Sequence, residues 1–160
     1  MIQGDGLVLA DVKNVWAAAS LDRPVDVLLF TVGFSEHHNN SVPFFHIYLL
    51  IPIRFLLLPG GYPGFHPIIG VVTSPHNLVT QCLLNVLGEM PKTNPLPKVI
   101  VLSAIGVTPS SRSQAPFLLN TLYSYMSLPL QDKLGAERVI SLIVQDGTGI
   151  ERMAIPKKIS

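Results

Sequence analysis

Three residues in this chain combine a reactive type with a suggestive position: Ser103, Lys133 and Glu137. Ser103 closes the β-branched run Lys98 to Ser103 (KVIVLS), which puts a hydroxyl at the end of a predicted strand. A hydroxyl there is either a ligand contact or an ordinary strand-end serine. Lys133 and Glu137 stand four residues apart on a predicted helix, the spacing of a surface ion pair as much as of a ligand contact. The five histidines, His37, His38, His46, His66 and His76, have no partner cysteines and no ligand-like spacing, so no metal site is expected. Cys82 falls on the apolar face of a helix, where a buried, inert thiol is the ordinary outcome. No G-x-S-x-G nucleophile elbow occurs, and Gly147-Thr148-Gly149 is a lone glycine pair.

These residues must be carried by a chain of 160 residues, enough for one domain with a real core and too few for a second full one. A net charge of +1 gives no basic face for a phosphate backbone, so no nucleic-acid partner is expected. A single cysteine cannot form an internal disulfide, which fits a reducing compartment, and Gln3, Gly4 and Asp5 after Met1 do not read as a signal peptide. The expected location is cytoplasmic. Mean hydropathy is high, at +0.44, and the excess is local: from His37 to Gly88 the only charged residue is Arg54. Val42 to Leu58 (VPFFHIYLLIPIRFLLL) is the candidate membrane segment. It is shorter than the roughly 20 residues a spanning helix needs and contains two prolines, His46 and Arg54. The arginine alone would cost about 2.5–3.5 kcal/mol near mid-span. Membrane insertion is therefore not the expected outcome.

The periodicities predict alternating strands and helices. Asp11 to Ala19 is an acid-started amphipathic helix with Val12, Val15, Trp16 and Ala19 on one face. Val25 to Val32 (VDVLLFTV) is nearly continuous and apolar, the pattern of a parallel strand buried on both faces. Phe34 to Asn40 is a loop, and Pro59 to Pro67 (PGGYPGFHP) is too rich in Pro and Gly for a regular element. Ser74-Pro75 opens a helix to about Met90, with Leu78, Val79, Cys82, Leu83, Val86, Leu87 and Met90 on one face. KVIVLS then supplies a strand parallel to Val25–Val32, with that helix packed over the pair. Thr108 to Gln114 is a polar loop; Pro116 to Met126 and Asp132 to Ile143 are helical, with Asp132 at a helix start.

Taken in order, several fragments resemble the atypical short-chain dehydrogenase/reductases, in particular the branch related to nitrogen-metabolite-repressor regulators. They are Gly4-Asp5 before an acid-started helix, VDVLLFTVG at 25–33, PHNLVTQCLLNVL at 75–87, VIVLSAIGV at 99–107 and DKLGAERVI at 132–140, about two-thirds of the chain. The resemblance implies an α/β fold: an incomplete, doubly wound Rossmann-like parallel sheet with flanking helices. It makes residues 1–144 a partial NAD(P)-binding domain with an irregular apolar insert at 34–60, and 145–160 a tail. It implies NAD or NADP as the ligand. By matching position, Asp5 would lie near the adenine, Thr31 and Gly33 at the cofactor-approaching end of a strand, Ser103 on the nicotinamide side, and Lys133 at the opening of a later helix. Ser103 and Lys133 are the catalytic candidates that follow.

Two departures bear on activity. The family's first strand, glycine-rich turn and second strand would precede Asp5, where this sequence has four residues; the amide cradle for a pyrophosphate is not there. In the family's Tyr-x-x-x-Lys pair, the lysine lowers the tyrosine pKa; here Pro129 stands four residues before Lys133, while Tyr123 and Tyr125 stand ten and eight before it. Joining Thr31-Val32-Gly33 directly to Gly61 would restore the family pattern, and residues 34–60 have the composition of a translated, pyrimidine-rich intron end. Three functions follow as expectations: a dinucleotide-binding oxidoreductase relative with weak or no cofactor binding, a non-catalytic nucleotide-sensing or partner-binding module, and a membrane-associated protein using residues 42–58.

Overall fold

A computed structural model describes residues 2–31, 47–48, 55–58, 62–92, 96–103, 106–113 and 117–145. The two apolar runs form the strands expected of them. β2 (Val27–Phe30) and β7 (Lys98–Val101) pair in parallel, with Leu28 opposite Val99 and Phe30 opposite Val101. The ladder extends at both ends, where Lys98 N–H donates to the Asp26 carbonyl and Leu102 N–H to the Phe30 carbonyl, each at 2.9 Å.

Alternation then decides what each side of this pair does. Leu28 and Phe30 are fully buried against Val12, Val15 and Trp16 of α1 (Leu9–Ala19) and Leu78, Leu83, Val86 and Leu87 of α2 (Leu78–Gly88). Val99 and Val101 join the same core from β7. Side chains of this size are each worth about 1.5–3 kcal/mol when buried, which makes this face the main source of stability. On the opposite face β2 falls short of the full burial expected of it, Val27 and Leu29 being half-buried, and on β7 Lys98 and Ile100 are exposed, Ile100 by 47%.

The sheet is mixed. β1 (Ile2–Asp5) pairs in parallel with β4 (Phe55–Leu58), which pairs antiparallel with β3 (Ile47–Tyr48), which pairs antiparallel with β2. The strand order is β1-β4-β3-β2-β7. A wholly parallel sheet is thus corrected: β3 runs against both neighbours. The stretch 34–60, expected to be irregular, supplies the two strands that bridge β1 to β2. Its remaining residues, and the tail from 146, lie outside the described residues.

A second correction concerns Pro59 to Pro67. Tyr62–His66 forms β5, which pairs antiparallel with β6 (Gly70–Ser74). His66 closes the turn with its own ring: Nδ1 accepts from Ile68 N–H at 3.2 Å and from Ile69 N–H at 3.4 Å. Gly70 ends the turn at φ +86°, and a Cβ there would stand 2.2 Å from the Tyr125 carbonyl oxygen. Only glycine meets both demands.

Downstream come α3 (Pro109–Ser113), where a loop was expected, then α4 (Phe117–Tyr125) and α5 (Ser127–Gln145). Pro129 is tolerated in α5 because it sits in the first turn, where its missing N–H has no intrahelical acceptor. Asp132 is therefore not at a helix start but one turn inside α5, and 7% exposed. Its carboxylate caps another helix. α2 begins at Leu78 rather than at Ser74-Pro75, its N-cap Asn77 makes no side-chain cap, and Val79 and Thr80 N–H donate to the two Asp132 oxygens at 2.7 and 3.0 Å. Thr80 Oγ1 donates back to the Asp132 carbonyl at 2.8 Å. Gly135 allows this approach, since a Cβ there would stand 2.6 Å from Thr80 Oγ1.

Among the described residues, β4 is the sole sheet partner of β1. Deleting residues 34–60, so that Gly33 joins Gly61, should expose the β1 amides to fast hydrogen exchange. It should also lower Tm by at least about 5 °C, since 1 kcal/mol is about 2–4 °C for a chain of this size. Thermal unfolding that matches the full chain would contradict the pairing.

Candidate functional site

In open α/β sheets, ligands bind beyond the carboxyl ends of the strands. Four of the five residues expected to form a site lie at such ends or on the helix beside them. Asp5 is the last residue of β1, Thr31 follows the last residue of β2, Ser103 stands two residues beyond β7, and Lys133 lies on α5. Gly33 lies outside the described residues. The structure brings Ser103 and Lys133 into one cluster through a third residue. Ser103 Oγ donates a hydrogen bond to Glu137 Oε1, and Glu137 lies close enough to Lys133 to favour its charged form. Lys133 is nevertheless held below the usual lysine range, because burial outweighs that attraction.

Asp5 stands apart from this cluster. Three strand spacings separate β1 from β2 and four separate it from β7, roughly 14 and 19 Å at about 4.8 Å each. Its carboxylate serves the local turn instead: Oδ1 accepts from Leu7 N–H at 2.9 Å, while Asp5 N–H donates to Asp11 Oδ2 at 2.9 Å. Two carboxylates thus crowd the amino end of α1.

The loop after β7 is held by residues that sequence reasoning did not single out. Gly106 adopts φ +87° with the Tyr123 ring against it; a Cβ would stand 2.5 Å from Tyr123 Cε1. Arg112 Nε donates to the Gly106 carbonyl at 2.6 Å and Nη2 to the Val107 carbonyl at 3.3 Å. Thr108 Oγ1 accepts from Ser111 N–H at 3.3 Å and so starts α3. The available signal for this loop was Gly106 between a strand and a run of hydroxyl residues. For Glu137 it was the i, i+4 spacing to Lys133.

The chemistry open to the cluster is limited by its own bonds. The Ser103 hydroxyl proton is committed to Glu137, so it is not free to donate to a substrate carbonyl. The geometry is that of a clasp fastening the end of β7 to α5.

A pyrophosphate needs exposed helix-end amides and an absence of negative charge. At α1 the Asp5 and Asp11 carboxylates place negative charge near the helix start without bonding its amides, and at α2 the Val79 and Thr80 amides are taken by Asp132. The residues present do not fit a phosphate at α2, and the charge near α1 disfavours one there. Among the described residues, no group of His, Cys, Asp and Glu could hold a metal ion. No described helix is long and apolar enough to cross a membrane, and Phe55–Leu58 of the candidate membrane segment is strand β4. No protein-family model, curated protein or solved structure matches the chain.

Cys82 lies in the core, 1% exposed, and its thiol is pushed far above the usual range by burial first and then by the Asp5 and Asp132 carboxylates. It should resist a thiol-specific reagent in the native protein and react at once in denaturant; fast native labelling would contradict this placement. For Lys133 the sign follows from the unfolded chain holding its proton more tightly. Between the lowered folded pKa and 10.5, stability should rise with pH, and Lys133→Met should flatten that rise. Urea midpoints measured across the alkaline range test this, and superimposable pH profiles would refute it.

Proposed function

We propose that this chain is a Rossmann-related α/β domain that acts as a non-catalytic module, with weak or no binding of NAD or NADP. The strand order supports the ancestry. If β1, β2 and β7 are the third, fourth and fifth strands of the doubly wound order 3-2-1-4-5-6, β4 and β3 fall where the second and first belong. β4 keeps the parallel direction of the strand it replaces and β3 does not.

The observation that carries the functional reading is the direction of β3. In the place of the first strand it runs antiparallel to both neighbours, so its carboxyl end points away from those of β1, β2 and β7. Among the described residues, the first strand-to-helix turn that holds a pyrophosphate therefore has no counterpart beside them. Asp132 makes the two amide contacts that a phosphate would make at α2, and Asp11 with Asp5 places negative charge at α1. Hydride transfer lacks support as well. Ser103 is engaged by Glu137, and Lys133 has no tyrosine one turn before it. A partner-binding role draws support from the open side of the β2–β7 pair, where Ile100 and Leu102 are 47% and 53% exposed.

Calorimetric titration with NAD, NADP and their reduced forms tests the proposal. No saturable heat should appear below about 1 mM, the concentration at which binding is worth only about 4 kcal/mol. Micromolar affinity for either dinucleotide would overturn the proposal.

A further inference from the structure

The opposite end of the domain carries a pocket unrelated to the strand carboxyl ends. It has a volume of about 380 Å³ and lies where α1 and α2 finish and the chain enters β2. Trp16, Ala17, Pro24 and Pro91 give it apolar walls, while Lys13 and Glu89 supply its charges. A mostly apolar concavity of this size with a few polar groups suits a small molecule.

Its electrostatics select the sign of that molecule. The carboxyl ends of two helices meet here, since Ala17 and the C-cap Ser20 belong to the end of α1 and Glu89 is the C-cap of α2. Helix carboxyl ends carry partial negative charge and are normally complemented by Lys, Arg or His in the last turn. Neither α1 nor α2 has a basic residue there, and α2 ends on an acid instead. The cation within the lining answers this weakly: Lys13 Nζ is 3.7 Å from Glu89 Oε1, and its side chain is 64% exposed. Trp16 lines the pocket with what little of its indole is not buried in the core, and its N–H is committed to the Val86 carbonyl at 3.0 Å.

The geometry points to a binding site for a small organic cation, an ammonium group on an apolar body, its charge held by Glu89 and the two helix ends and its body by the apolar lining. The bound ammonium takes the place of Lys13 beside Glu89. This site is independent of the dinucleotide question, because it lies at the other end of β2 and β7.

Trp16 is the only tryptophan, so the protein gives a single indole N–H cross-peak in a nitrogen–proton correlation spectrum. Titrating the full chain with benzyltrimethylammonium should move that peak saturably, with a Kd of a few millimolar, as expected for a ligand this small. Benzyl alcohol and benzoate should bind at least about tenfold more weakly, given the charge contribution expected at a partly buried helix end. Glu89→Gln should weaken the cation about tenfold. Lys13→Ala should tighten it about threefold by removing the competing ammonium, a gain that damage to the fold would not produce. An unmoved indole peak, an equal response to benzoate, or a Lys13→Ala variant that binds no better overturns the assignment.

Discussion

The carboxylate of Asp132 does for α2 what no residue next to that helix does. A helix start leaves amide hydrogens without intrahelical acceptors, and leaving them unpaired in a buried place costs about 1–3 kcal/mol each. Asn77 makes no side-chain cap, so the acceptor comes from α5, more than 50 residues away in sequence. The back-donation from Thr80 and the bare Cα of Gly135 fix the distance between the two helices. Because α2 also covers Leu28 and Phe30, the position of the β2–β7 pair depends on this cap. The same bond fills an anion position, so the interaction that builds the fold also works against phosphate binding.

α1 is tied into the same assembly by comparable means. Trp16 donates to the Val86 carbonyl, and the buried Asn85 amide donates to the Gly6 and Leu7 carbonyls at 3.0 and 3.3 Å. Polar groups on α2 thus anchor α1 and the β1–α1 turn while its Leu and Val side chains fill the core. Beyond that core, among the described residues, the sheet reaches β1 only through β3 and β4, so those strands make the sheet continuous.

Where side-chain periodicity and burial coincide, the chain was legible from its sequence. β2, β7, α1 and the apolar face of α2 emerge from it within a few residues, because hydrophobic spacing is a local signal of a global core. The β5–β6 hairpin was hidden, since Pro63, Gly64 and Pro67 argue against a strand and the device that closes the turn is the His66 ring. The start of α2 was misplaced for a related reason: its cap is tertiary, and Asp132 looked like the start of its own helix. The mixed sheet was beyond reach, because the pairing of Phe55–Leu58 with β1 rests on backbone bonds between segments distant in sequence. Ser103 and Lys133 were found as residues; that Glu137 links them follows only from β7 ending beside α5.

The seating of α2 depends most directly on Asp132, and the measurement that tests this is the unfolding free energy of Asp132→Ala in urea, read beside amide exchange at Val79 and Thr80. Two donors left without acceptors should cost about 2–6 kcal/mol, with both amides losing protection. A loss below about 1 kcal/mol with protection unchanged would mean that α2 is capped by something else, and the proposed barrier to phosphate binding at that helix would fall with it.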